Sequence, residues 1–288
     1  WLGPEKGAIS LAAGAIMNAV WDIMARRAGK PLWEIVSDME PEKLVQYIDF
    51  KHIDDFVTKE EAIALLRKVR PEWQERKKIM KNVGVIGGGL IGASWAAIFS
   101  KSGFNVLVHD SHPEVFESFE SRVQLFLEEL KSIDDSINVE ESLKRIKINV
   151  TIEELCSRVN YIQESAPEIL SIKQELFAKL DNLASDDIVI ASSSSAMPIS
   201  SITQNLRGQH RCIIAHPANP PHLIPCVELC PSENTSQKTI EKTQEIFKSS
   251  GASIVNVRKE IDGFILNRLQ GALLNEAMRL YSEGYANS

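Results

Sequence analysis

Apolar residues in the first stretch of the chain recur at helical spacing. In "KGAISLAAGAIMNAVWDIMARRAG", Ile9, Ala13, Ile16, Val20 and Ile23 share one stripe, which predicts a helix ending at Gly29. "KPLWEIV" predicts a short second helix. "TKEEAIALLRKV" predicts a third, opened by a capping box of Thr58 with Glu61 and stopped by Pro71. Residues 72–81 are charged and read as a linker, helical or loose.

From Asn82 onward the period changes. "NVGVIG" and "FNVLVHD" are short β-branched runs on either side of a helical stretch, the strand–helix–strand signature of a parallel sheet. An amphipathic helix over about 113–132 follows, and "SIDDSINVEESLKRI" reads as helical too. Further strands are predicted at "IKINVT", "VNYIQES", "DIVIAS", "RCIIAHP", "PCVELC" and "SIVNVR", with helices over 169–180, 235–249 and 263–283. The pattern predicts an α/β fold, a Rossmann-type doubly wound, mostly parallel sheet preceded by a small helical segment.

Composition narrows the function classes. With 44% hydrophobic and 25% charged residues the chain reads as globular. A net charge of −7 implies no large basic patch, so nucleic acid and anionic membranes are not expected partners. Arg76, Lys77, Lys78 and Lys81 read as a solvated helix end. Cys156, Cys212, Cys226 and Cys230 lack Cys-x-x-Cys spacing, so a reduced, cytoplasmic setting is the expectation. The apolar run over 7–24 is broken by Asn18 and Asp22, a buried-helix pattern and not a membrane span. A first residue Trp1, with no initiator Met, leads us to expect a fragment or a processed product.

Two stretches carry candidate chemistry. Gly87-x-Gly89-x-x-Gly92 follows one strand and opens a helix, and Asp110 closes the next strand. Gly87 allows the tight turn, Gly89 the approach of a pyrophosphate, and Gly92 close helix–strand packing. Phosphate then lies on the helix N-terminus. Asp110 would accept from ribose hydroxyls and repel a 2′-phosphate, so NAD is the expected cofactor rather than NADP. In "CIIAHPANPPHLIPCVELCP" a strand delivers His216 at its end, with Glu228 on the strand after it. A hydroxyl oxidation needs a base near neutral pH, and a carboxylate fixes its tautomer. His109 reads as a strand-end residue and His222 as a loop residue. The serines of "VIASSSSAMPIS" can bind substrate or cap a helix. Asn267, among apolar neighbours, reads from composition as structural.

Taken together, "GVIGGGLIG", "IQESAPE", "SSSSAMP", "AHPANPPHLIPCVEL" and "GFILNRLQ" make the chain from about Asn82 to its end resemble the 3-hydroxyacyl-CoA dehydrogenase superfamily. Within it the resemblance is to the lambda-crystallin and L-gulonate 3-dehydrogenase branch. The resemblance implies His216 as general base, Glu228 as its partner, Ser195 on the reacting oxygen and Asn267 in the same pocket. It implies that Asn219 holds His216 and the nicotinamide end, and that Glu168 and Lys173 contact the cofactor. Leu90 and Ile91 would offer backbone N–H groups to the pyrophosphate. Fatty-acyl members carry Asn-Thr in the serine motif and Phe-Phe after the histidine. Ser193-Ser194 and Pro217-Ala218 stand here instead, which points to a sugar-acid substrate.

The leading stretch, "WLGPEKGAISLAAGAIMNAVWDIMARRAGKPLWEIVSDMEPEKLVQYIDF", resembles part of L-fuconate dehydratase, of the enolase superfamily. No barrel follows it, and Asp49, Asp54 and Asp55 read as solvated loop carboxylates, so neither a metal site nor dehydration is expected. The expected organisation is a helical fragment with linker over 1–81, an NAD-binding domain over 82–262, and over 263–288 the first helix of a helical domain whose remainder is missing. Homodimerisation is expected only with that remainder. The expected function is NAD-dependent oxidation of a sugar-acid hydroxyl. The alternatives are 3-hydroxyacyl-CoA oxidation, a non-catalytic NAD-binding or crystallin-like protein, and an inactive fusion fragment.

Overall fold

A computed structural model describes residues 8–28, 32–48, 50, 55–80 and 82–287. The chain divides into two compact units, Trp1–Arg76 and Lys77–Ser288. The first contains helices α1 (Ala8–Ala28), α2 (Leu32–Asp38), α3 (Pro41–Val45) and most of α4 (Lys59–Met80). The predicted stop of α1 at Gly29 and the start of "KPLWEIV" at Lys30 and Pro31 lie outside the described residues, as do Asp49 and Asp54. Trp21 meets Tyr47 edge-on at 5.4 Å, and Arg67 and Arg70 pair with Glu42 and Glu40. The capping box forms as expected: Glu61 N–H donates to Thr58 Oγ1 at 3.2 Å, and Thr58 N–H to Glu61 Oε2 at 2.8 Å.

Pro71 does not stop the helix. α4 runs through it to Met80. Proline removes one hydrogen bond, but its fixed φ is helical, and the Glu, Gln, Arg, Lys and Met residues after it are good helix formers.

The second unit is built as β1 (Asn82–Ile86), α5 (Leu90–Lys101), β2 (Asn105–His109), α6 (Phe116–Ile133), α7 (Val139–Lys144), β3 (Ile146–Lys147), α8 (Ile152–Arg158), β4 (Tyr161–Glu164), α9 (Leu170–Leu183), β5 (Val189–Ser192), α10 (Ile199–Ile202), β6 (Cys212–Pro217), β7 (Cys226–Cys230), α11 (Gln237–Ser249), β8 (Ser253–Asn256) and α12 (Leu266–Ser282). The strands form one sheet in the order β3-β2-β1-β4-β5-β6-β7-β8, parallel except between β6 and β7. It is the expected doubly wound, Rossmann-type sheet.

Alternation along the strands feeds two cores, one on each face. Val83, Val85, Tyr161, Val189, Ala191, Ile213 and Ala215 point to one side, where Trp95, Phe99 and Phe247 pack with ring centroids 5.4–6.1 Å apart. Ile162, Ile190 and Ile214 point to the other, against Leu155, Phe177 and Leu180. Each such side chain contributes roughly 1.5–3 kcal/mol by leaving water. The central strands are covered on both faces, which is why they read as continuous apolar runs.

Two elements are shorter than their sequence predicts. "IKINVT" yields only β3, because Asn149 turns the chain at φ 56°. Of "SIDDSINVEESLKRI" only the end of α6 at Ser132 and Ile133 and the short α7 are helical; Asp134 accepts from Ser136, and Asn138 caps α7 by accepting from Glu141 N–H. Among the described residues no helix is long and apolar enough to cross a membrane.

Candidate active site

Sheet register brings the candidate residues to one edge. Ile86, Glu164, Ser192 and Ile214 are successive partners across β1, β4, β5 and β6. The glycine turn, the 165–168 loop, the serine loop and His216 therefore leave the sheet on the same side. That side carries the carboxyl ends of the parallel strands, where open α/β sheets bind ligands.

At the glycine turn, Gly87 has φ 98°, and a Cβ there would lie 2.5 Å from the Ser165 carbonyl oxygen. A Cβ on Gly92 would lie 1.8 Å from Gly87 O. Both positions thus require glycine. Gly89 differs: a Cβ would meet nothing within 4 Å. Its bare side faces open space at the start of α5, where the helix leaves its first N–H groups without intrahelical partners. Leu90 is exposed and Ile91 half-buried in that first turn. Asp110 Oδ2 accepts from Gly88 N–H at 2.7 Å and Oδ1 from His112 N–H at 2.9 Å, which fixes the carboxylate beside the turn with lone pairs left over. Glycine cradle, helix terminus and carboxylate together fit a dinucleotide.

His216 and Glu228 are direct cross-strand partners in the antiparallel β6–β7 pair, both buried, with Nδ1 2.8 Å from Oε2. A carboxylate only accepts, so Nδ1 carries a hydrogen, and in the neutral ring the lone pair is on Nε2. Nε2 has no hydrogen-bond partner among the described residues. Glu228 Oε1 accepts from Ile265 and Leu266 N–H, both at 2.9 Å, so the same carboxylate also anchors the start of α12.

The serine loop is fixed from beneath. Glu168 Oε1 accepts from Ser194 Oγ at 2.6 Å and from the N–H groups of Ser195 and Ala196. Burial pushes its carboxyl pKa up, but the Ser194 bond, the Lys173 charge and the two amides outweigh it and hold the pKa below the usual range. Lys173, 1% exposed, points its ammonium at Glu164 (2.7 Å), the Ala166 carbonyl (3.2 Å) and Glu168 (3.4 Å). It is enclosed by protein acceptors. Asn267 is half-buried and donates to the Ser195 carbonyl at 2.7 Å, joining α12 to the loop. Ser195 is exposed, with its hydroxyl unpaired among the described residues. Asn219 is exposed and makes no hydrogen bond with His216.

Three residues escape a reading of the sequence. Glu164, fully buried, joins Lys173 to Ser192 (Oε2 to Oγ 2.5 Å). Its place in "IQES", at a strand end, is the only signal. Ser193 is a hub, accepting from Trp95 Nε1 at 3.0 Å and Gln163 Nε2 at 2.7 Å. His222 lies in the loop as expected, but its side chain is buried and paired, which the sequence did not signal. Among the described residues no cluster of His, Cys, Asp and Glu is arranged to hold a metal ion. The four cysteines are free, and burial pushes the Cys212 and Cys230 thiols up to about 12.

Sheet order, glycine turn and Asp110 define a dinucleotide-binding domain of the Rossmann class. Residues 82–261 match the family described as 3-hydroxyacyl-CoA dehydrogenase, NAD binding domain, and the chain belongs to that family, whose cofactor is NAD. It is 40% identical over 206 residues to lambda-crystallin of Oryctolagus cuniculus, covering 70% of this chain and 65% of that one. It is 34% identical over 209 residues to L-carnitine dehydrogenase of Pseudomonas putida, covering 73% and 64%. Among solved structures, 3-hydroxybutyryl-CoA dehydrogenase of Escherichia coli superposes with a TM-score of 0.67 at 26% identity, over 72% of this chain and 44% of that one. The chain thus spans just under two thirds of the length of these curated relatives.

Proposed function

We propose that this chain carries the catalytic half of an NAD-dependent dehydrogenase that oxidises a secondary hydroxyl of a small sugar acid. The observation that supports it most is the His216–Glu228 pair, with an unspent Nε2, on the sheet edge that bears the dinucleotide turn. Nε2 takes the proton of the substrate hydroxyl, and the buried Glu228 carboxylate balances the imidazolium that forms. NAD, when bound, supplies the acceptor for the hydride leaving the same carbon. Ser195 offers its free hydroxyl to the reacting oxygen, while Asn267 and Glu168 hold the loop that presents it. Asp110 selects the ribose that lacks a 2′-phosphate.

A sugar acid, L-gulonate being the named candidate, is supported by the relatedness to lambda-crystallin and by Ser193-Ser194 and Pro217-Ala218 in place of the fatty-acyl motif. Calorimetric titration with NAD and NADP, followed by absorbance assays with L-gulonate and with 3-hydroxybutyryl-CoA, tests the reading. Tighter binding of NAD and turnover of L-gulonate are expected, with turnover and not binding lost in His216→Ala. Preference for the acyl-CoA would replace the substrate. NAD binding with no turnover of either would favour a non-catalytic NAD-binding protein.

A further inference from the structure

The eight residues 218–225 form a strap that joins His216 on β6 to Glu228 on β7. Its backbone bonds are few: Leu223 and Ile224 N–H donate to Pro220 O within it, Ala218 N–H to Cys226 O, and its last residue, Pro225, accepts from Ser253 N–H on β8. Its middle is hydrogen-bonded to the helices beneath it through the His222 side chain. This imidazole is 6% exposed and lies flat on Phe126 of α6, centroids 4.0 Å apart and planes 22° apart. Nε2 is 2.7 Å from Glu129 Oε2, also on α6, and Nδ1 is 3.2 Å from Ser94 Oγ on α5.

Ser94 leads on to the cofactor turn. Its hydroxyl donates to the carbonyl of Leu90, the first residue of α5, at 3.1 Å. A carboxylate only accepts, so Nε2–H donates to Glu129, and Nδ1 is hydrogen-bonded to the Ser94 hydroxyl. Neither ring nitrogen is left for chemistry. The chain of bonds runs Glu129–His222–Ser94–Leu90 and ends at the first turn of α5, whose free N–H groups would take the dinucleotide's phosphates.

We infer that His222 is a positioning residue: it ties the strap between His216 and Glu228 to the first turn of α5, so that the proton-transfer pair and the dinucleotide turn hold one geometry. The coupling rests on the dehydrogenase reading above; the tethering of the strap does not.

Amide hydrogen exchange and NAD calorimetry on the full chain and its variants test both. In His222→Ala the strap amides of Ala218, Leu223 and Ile224 are expected to exchange about tenfold faster, the equilibrium worth of a hydrogen bond or two, with β4 and β5 unchanged. NAD binding is expected to weaken about fivefold through the loosened α5 turn. His222→Gln, whose amide still reaches Glu129, recovers most of the strap protection. Glu129→Ala, at a half-exposed position, gives a smaller local effect in a fold that stays intact. Unchanged strap exchange in His222→Ala, or equal acceleration across the sheet, overturns the tether. Faster strap exchange with unchanged NAD affinity overturns the coupling. A wild-type chain that binds no NAD sinks the dehydrogenase reading, while the exchange data still decide the tether.

Discussion

His216 and His222 sit on one short stretch of chain, both buried and each bonded to a glutamate, yet their surroundings leave them differently engaged. His216 receives its partner by sheet register, and the pairing uses one nitrogen. His222 receives its partners from two helices, and they use both. Burial and a carboxylate partner are common to both histidines; what sets His216 apart, and makes it the proposed base, is the nitrogen left over. The two glutamates differ in parallel. Glu228 is buried with three hydrogen bonds, whereas Glu129 has a half-exposed side chain with one.

The largest effect that sharpens this contrast falls on Glu228. Glu228→Ala leaves the His216 N–H and the Ile265 and Leu266 amides at the start of α12 without their buried acceptor, a loss expected to cost about 3–5 kcal/mol. Urea unfolding measures it. Glu129→Ala, with its acceptor role half in solvent, is expected to stay within about 1 kcal/mol. Equal costs for the two would erase the distinction between a buried keystone and a surface tether.

His216 itself should separate activity from stability. His216→Gln keeps a donor toward Glu228 and fills similar space, so stability is expected to change by less than about 1 kcal/mol. Loss of the base is expected to lower turnover about a hundred- to ten-thousandfold. Stopped assays and thermal unfolding on the same preparation check both. A stability loss matching that of Glu228→Ala, with turnover intact, would make His216 structural and leave the chemistry without a base.

The glycine turn and the alternation of the central strands were legible because both are largely local: Gly87 has a positive φ and Gly92 packs against the Gly87 carbonyl within the strand–turn–helix unit, although Gly87 also answers to Ser165 on the neighbouring strand's loop. The His216–Glu228 pair was legible because one turn of chain returns β7 beside β6. His222 was not, since its partners lie 93 and 128 residues away in sequence. Helix α8 could have been read from Thr151 and Glu154, whose cap bond has the same Thr-x-x-Glu spacing as the one at Thr58. Pro71 misleads because a helix tolerates the loss of one bond when its neighbours favour it. The enclosure of Lys173 by Glu164, Glu168 and the Ala166 carbonyl could not be read in advance, because a motif names residues but not the partners a side chain finds in the fold.

The smallest effect concerns the serine loop, and its sign follows from Glu168. Its pKa is depressed in the folded protein, so the stabilisation it gives is present above the usual carboxylate value of 4.5 and is lost as pH falls through the lower, folded value. Half-exposure screens the effect, so the loop rather than the whole fold is where it shows. The N–H groups of Ser195 and Ala196, which donate to Glu168, are expected to keep their exchange protection at pH 4.5 and to lose it only below. Glu168→Gln keeps an acceptor oxygen but no charge, and should flatten that profile. Protection lost already above pH 4.5 would mean that desolvation prevails over Ser194, Lys173 and the amides, and that the loop presenting Ser195 is held by something other than this carboxylate.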